Sequence, residues 1–209
     1  MDRNAGPESA RLLTSLLAFM EHHHSVYPFL DRRDFEEKAS LKELSQVLQD
    51  SPPFSALYHT VLALGCQYHG GGSFEPGVGT SWQLFQVALG LFPDIIIPKE
   101  TLLSVQAIFA HNSSCIQMGN MLTAEAGRMA QSIGLNRAIC GNENKEVCYR
   151  TFWTIYILEK TLSFRCDRDS ILLDAVIHAN LGLAIGPGLG IIPDFRFPRT
   201  SSNSSRSHT

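Results

Sequence analysis

Between residues 51 and 124 the chain carries four formal charges: Glu75, Asp94, Lys99 and Glu100. The flanks are different: residues 1–50 hold six basic and nine acidic side chains, and residues 125–209 hold ten and eight. A long charge-poor middle has too little polar surface to face water on its own. It must lie inside, wrapped by the flanks. Its apolar residues recur at helical spacing, and Pro and Gly punctuate it. The interior is therefore expected to be a set of buried helices and not a sheet.

The same period continues outside the middle. Leu12, Leu13, Leu16, Leu17 and Met20 mark a first helix, with Ser9 as its N-cap. Pro28 interrupts it, and Phe29, Leu30 and Phe35 read as a buried turn. Leu41, Leu44, Val47 and Leu48 make a short amphipathic helix that stops at Ser51-Pro52-Pro53. Pro53 suits the first residue of the next helix, whose stripe is Leu57, Val61, Leu62 and Leu64. That helix is expected to end at Gly70-Gly71-Gly72. Another runs from Trp82 to Leu91. Pro93 and Pro98 bound an extended Ile95-Ile96-Ile97. Leu102 starts a helix reaching about Met118, Gly119-Asn120 breaks it, and a second continues to Gly134. So short a break favours an antiparallel pair. Beyond a polar loop over residues 141–144, residues 146–163 form a strongly apolar helix, expected to be the central one. The fold expected is all-α, an irregular multi-helix bundle of antiparallel helix pairs with an irregular C-terminal tail.

Composition excludes several function classes. Net charge is −3 and the pI about 6.2, which disfavours a stand-alone nucleic-acid binder. The charged share of 18% is below the roughly 25% of ordinary soluble domains, so part of the surface is expected to pack against a partner. The five cysteines, Cys66, Cys115, Cys140, Cys148 and Cys166, are odd in number and never spaced C-x-x-C, which favours a reducing compartment. Residues 175–193 are apolar but broken by Gly182, Gly186, Pro187, Gly188 and Gly190, so no membrane span is expected there.

Candidate chemistry is thin. Three consecutive helical histidines, His22-His23-His24, point about 100° apart and cannot converge on one ion; they read as a solvated helix end. Cys66 and His69 share a helix face, but two ligands do not make a zinc site. A small helical enzyme or ligand-binding protein built on that pair is the alternative function. The glycine runs at 70–72 and 186–190 lack the Lys-Ser or Lys-Thr of a phosphate loop and read as turns.

Four segments stand in a telling order. They are Val26-Tyr27-Pro28-Phe29-Leu30-Asp31-Arg32-Arg33-Asp34-Phe35, then Ser104-Val105-Gln106-Ala107, then residues 127–137, which hold Arg128, Met129, Gly134, Leu135 and Arg137, and finally residues 149–163, which hold Phe152, Trp153, Tyr156 and Leu158. Together they resemble the regulatory middle homology region of fungal zinc-cluster transcription factors, with its "YPFLDRxxF" opening, "SVQAL" helix, "RMAxxLGLHR" helix and "RRxFWxLYxLDRxLS" helix. The resemblance implies a helical regulatory domain, a nuclear location and protein partners. A homodimer and a small-molecule effector are left open. Gln106, Arg128, Met129, Gly134, Leu135, Arg137, Phe152, Trp153, Tyr156 and Leu158 are expected to be structural, with the arginine stems packing and their heads pairing. No catalytic, cofactor, metal or DNA-binding residue is assigned.

The chain departs from the family pattern in places. Asn136 stands for the usual His, Glu159-Lys160 for Asp-Arg, and Asp167-Arg168-Asp169-Ser170 for Gly-Arg-Pro-Ser. After Asp174 the match ends, so the expected division is residues 1–174, a partial regulatory domain, and residues 175–209, an unrelated tail outside the packed core. The family's zinc belongs to a module of six cysteines in two C-x-x-C groups. This sequence does not contain one, so zinc and sequence-specific DNA reading are not expected of it. A non-functional truncated product is a further alternative.

Overall fold

A computed structural model describes residues 7–68, 77–97, 100–114, 119–137 and 144–172. Among them the structure is helical without strands: α1 (Pro7–Ala18) running into a π turn (Phe19–His23), α2 (Arg32–Ala39), α3 (Leu44–Asp50), α4 (Pro52–Tyr68), α5 (Gly79–Gly90), α6 (Phe92–Ile96), α7 (Leu102–Ser114), α8 (Gly119–Ser132), a 3-10 turn (Leu135–Arg137) and α9 (Lys145–Arg165).

The charge-poor middle lies inside only in part: α4 and α7 are buried, whereas α5 buries three of its 12 residues and α6 one of its five, and the centre is α4. Eleven of its 17 residues are buried, from Phe54 to Gly65, whereas α9 buries seven of 21. Every face of α4 is therefore covered: α1, the π turn, α3, α5, α6 and α7 all pack on it. Residues 146–163 are thus not the central helix; α9 is an outer helix resting on α7 and α8. The crossing of α1 over α4 is tight at one point. A Cβ on Gly65 would fall inside contact distance of the Ser15 carbonyl oxygen, so only glycine lets the two backbones approach there.

Local rules explain most boundaries. Asp31 caps α2 by accepting the Asp34 N–H at 3.2 Å. Arg32–Glu36 and Lys38–Asp34 pairs at 2.7 and 2.8 Å line its wet side. Its one buried residue is Phe35, which lies near the rings of Phe54 and Tyr58. Phe35 therefore belongs to a helix and not to a turn. Asn144 caps α9 through the Glu146 N–H at 3.0 Å.

Other expectations need correction. Ser9 lies inside α1, which begins at Pro7, because a proline at a first helical position gives up nothing. Pro52, not Pro53, opens α4 for the same reason. Ile95 and Ile96 are helical: Pro93 sits in the first turn of α6, and burial of Ile95 outweighs the β preference of the triplet. Helix α5 starts three residues before Trp82. Gly119 and Asn120 are helical, the first described residues of α8, and residues 115–118 lie outside the described set. The expectations for Gly70-Gly71-Gly72, residues 141–143 and everything after Leu172 also lie outside it.

Within α9 the core residues are Phe152 and Ile155, both fully buried, whereas Trp153, Tyr156 and Leu158 are half-buried. The indole Nε1 of Trp153 is shut off from solvent without a hydrogen-bond partner. Phe152→Ala, a large-to-small change at a fully buried position, should therefore cost about 3–5 kcal/mol, and Trp153→Ala less. Urea unfolding should show Phe152→Ala as the costlier of the two by about 1–2 kcal/mol; the reverse order would contradict this packing.

His23 gives a second expectation. It is buried between the rings of Phe19 and Tyr27, and burial, helped by the neighbouring His24, pushes its pKa from 6.5 down to about 4. The folded chain then binds fewer protons than the unfolded chain in that interval. Stability is intact above pH 6.5 and falls as the pH drops toward 4, by roughly 3 kcal/mol in total. Urea midpoints from pH 7 to 4.5 should fall steeply for the native chain and more gently for His23→Phe.

Candidate functional site

Pro28 places the next two residues, Phe29 and Leu30, deep in the fold with side chains fully buried. Their backbone carbonyls go in with them, and a buried carbonyl without a donor costs about 1–3 kcal/mol. The Phe29 oxygen accepts from Gln106 Nε2 of α7 at 2.7 Å and from Thr151 Oγ1 of α9 at 2.8 Å. Gln106 Nε2 also reaches Thr151 Oγ1 at 3.2 Å. The Leu30 oxygen is met by His24 Nε2 at 3.1 Å and by Arg150 Nη2 at 3.4 Å. Three of the four sequence segments thus meet at two carbonyls. Phe29 also sets its ring edge-on to Phe109, with centroids 5.0 Å apart.

The fourth segment closes α8. Met129 and Leu135 are buried. Gly134 has φ +80°, a left-handed position that suits glycine, and lets the chain turn into the 3-10 element. Arg128 stays half-exposed and clamps Glu125 and Glu100 at 2.6 and 2.7 Å, which ties α8 to the segment leading into α7, two residues before its start. Arg137 is exposed at the end of the 3-10 turn, and Asn136, at the family's His position, is buried.

The three histidines diverge as the spacing requires, but they are not a solvated end. His22 is exposed and stacks on Tyr68, His23 is buried, and His24 turns to the Leu30 carbonyl. Burial also lowers the pKa of His24, with Arg150 and Arg32 adding to the effect against the pull of its hydrogen bond. The reason for the burial is the π turn, which rolls His23 toward Phe19. Cys66 is half-buried near the end of α4, and His69 lies outside the described residues. Among the described residues no group of three or more His, Cys, Asp or Glu is placed to hold a metal ion. None of their helices is long and apolar enough to cross a membrane.

One site escaped the sequence reading. Glu159 is 4% exposed, and its carboxylate accepts from Ser163 Oγ at 2.9 Å, Ser170 Oγ at 2.5 Å and Ile171 N at 3.0 Å. It folds the chain after α9 back over α8, where Leu172 packs on Gly127. The signal was present: Glu159 and Ser170 occupy the family's Asp and Ser positions. A cavity of about 400 Å³ opens beside them, with Asn120 and Met121 of α8 on one wall and Glu159 and Leu162 of α9 on the other.

The turn itself is a Schellman cap. Arg168 N–H bonds Ser163 O at 3.0 Å and Asp167 N–H bonds Phe164 O at 3.3 Å. Asp167 pays for it with φ +50°, at the position where the family commonly has glycine. Asp167→Gly should therefore raise stability by about 0.5–1 kcal/mol in chemical unfolding. A loss of similar size would show that the aspartate side chain holds the turn in some other way.

No curated protein and no solved structure matches the chain significantly. The model of the fungal specific transcription factor domain matches residues 16–184, from the last turn of α1 through α9 and past Asp174. The chain belongs to the fungal-specific transcription factor domain family.

Proposed function

We propose that this chain acts as the regulatory, protein-interacting part of a fungal transcription factor, working in the nucleus without itself reading a DNA sequence. The observation that carries this is the use to which the family motifs are put. Gln106, Arg150 and Thr151 are spent on the Phe29 and Leu30 carbonyls, and Phe152 and Met129 are spent on the core. What such motifs specify is a scaffold. The family is one of transcription-factor domains, and a scaffold of this kind works through its surfaces.

Those surfaces hold apolar side chains suited to protein contact. Leu13 and Leu17 stand out on α1, and Ile157 and Phe164 on α9, with Phe164 88% exposed. Partners are therefore proteins, a second copy of this chain among the candidates, and a small-molecule effector would act by shifting helix packing. Zinc is the business of the family's separate cysteine module, whose spacing this sequence lacks.

The test is to fuse the full chain to a heterologous DNA-binding domain and read a reporter in a fungal host. The fusion should change reporter output at least about three-fold in either direction, and Gln106→Ala should abolish the change, since truncation strips a buried carbonyl of a donor. A folded, nuclear fusion that leaves the reporter untouched would overturn the proposal.

A further inference from the structure

The cavity between α8 and α9 has an unbalanced electrostatic make-up. Glu159 is buried with its three hydrogen bonds made to neutral donors, and among the described residues no Lys, Arg or His nitrogen lies within ion-pair distance of it. Buried carboxylates are rare unless a positive charge accompanies them. On the facing wall the Asn120 amide gives its Nδ2 to Cys166 Sγ at 3.1 Å, while its Oδ1 is shut off from solvent with no donor. Asp169 adds a second carboxylate at the rim. Arg168 also lines the cavity, yet it is an exposed side chain beyond ion-pair reach of Glu159. Met121, Ala124, Leu162 and Ile171 supply apolar wall, and the hydroxyls of Thr123 and Ser163, also in the lining, are engaged with the Gly119 carbonyl and with Glu159.

A guest that satisfies this lining must bring positive charge, more than one N–H donor, and an apolar body. Anions are excluded by the two carboxylates. Bare metal ions are disfavoured, because apolar walls cannot replace their water. The volume of about 400 Å³ falls in the range of small-molecule sites. We propose that this cavity binds a small aliphatic amine in its ammonium form, with the nitrogen between Glu159 and Asn120 and the carbon chain along Met121, Leu162 and Ile171. Bound there, it bridges α8, α9 and the returning chain, three parts whose relative position a regulator would exploit. That last step rests on the transcriptional reading above, whereas occupancy does not.

Isothermal titration of the full chain with n-hexylammonium chloride tests it, with hexan-1-ol and hexanoate as controls at equal ionic strength. The ammonium salt should bind saturably, one per chain, and at least about ten-fold more tightly than either control. Glu159→Gln should weaken it by about ten-fold or more. Because Glu159 also holds residues 170 and 171, Ala124→Phe serves as a second variant: it fills the cavity from α8, leaves the carboxylate in place, and should abolish binding. Equal affinity for hexanol and hexylammonium, no saturable binding, or full binding by a folded Ala124→Phe chain would each overturn the site. Saturable binding that leaves the reporter fusion unchanged would remove only its regulatory role.

Discussion

Two backbone carbonyls, those of Phe29 and Leu30, set the terms for the rest of this fold. Pro28 sends the chain inward where neither a helix nor a sheet is available to satisfy them. Each unsatisfied carbonyl would cost about 1–3 kcal/mol, a large part of the margin by which a domain this size is stable. The donors come from distant parts of the chain, 77 residues on for Gln106 and 120 or more for Arg150 and Thr151. A requirement of this kind fixes geometry more strictly than apolar packing does. Leucine tolerates many neighbours, but a carboxamide must present its N–H to one oxygen. The polar ties place α7 and α9 against the opening segment, and the apolar residues then fill the space so defined.

The second constraint is the apolarity of α4. A helix of 17 residues with no Asp, Glu, Lys or Arg has to be covered on all sides, and six elements do so. Covering it without voids demands one very close approach, at Gly65 under Ser15, and a few polar groups that satisfy one another inside. Ser81 donates to the Ala63 carbonyl at 2.7 Å, and His111 Nδ1 meets the Ala107 carbonyl at 2.6 Å with Thr60 Oγ1 at 3.5 Å. Burial lowers the pKa of His111 as it does that of His23. The interior is therefore built for neutral histidines, which is why acid should loosen α4's surroundings together with the opening segment.

How much of this was legible in the sequence depends on the kind of signal. Seven of the nine described helices followed from apolar spacing and from Pro and Gly, with errors of a few residues at Ser9, Pro53 and Trp82, whereas α2 was read as part of a turn and α6 as an extended stretch. The Ile95-Ile96-Ile97 triplet was misread because β-branched residues favour strands only where a strand has a partner, and here Ile95 has a core to enter as a helix. The structural residues of α9 were not ranked, because size and aromaticity alike suggest burial for Phe152 and Trp153, whereas position on the helix decides it: Phe152 is fully buried and Trp153 half-buried. The histidines were misplaced because a π turn has no sequence signature comparable to a cap. The roles of Gln106 and Thr151 could not be read at all from local pattern, since a hydrogen bond between residues 45 apart leaves no periodic trace. Only the joint occurrence of the family motifs pointed to those positions.

The region after α9 shows how one substitution pattern is accommodated by physical equivalence. Where the family has Asp, Gly and Ser, this chain has Glu159, Asp167 and Ser170. The longer Glu159 side chain still reaches Ser170 and the Ile171 N–H, so the return of the chain survives. Asp167 takes the left-handed position at some cost, and the Schellman bonds to Ser163 and Phe164 hold it there. The helix end thus keeps its two hydrogen bonds, and the carboxylate keeps its three. Among the described residues no cation pairs with Glu159, while Lys160 lies over the Tyr156 ring, 5.3 Å from its centre. Two sequence neighbours on α9 are thus put to different uses, Lys160 on an aromatic face and Glu159 at the cavity.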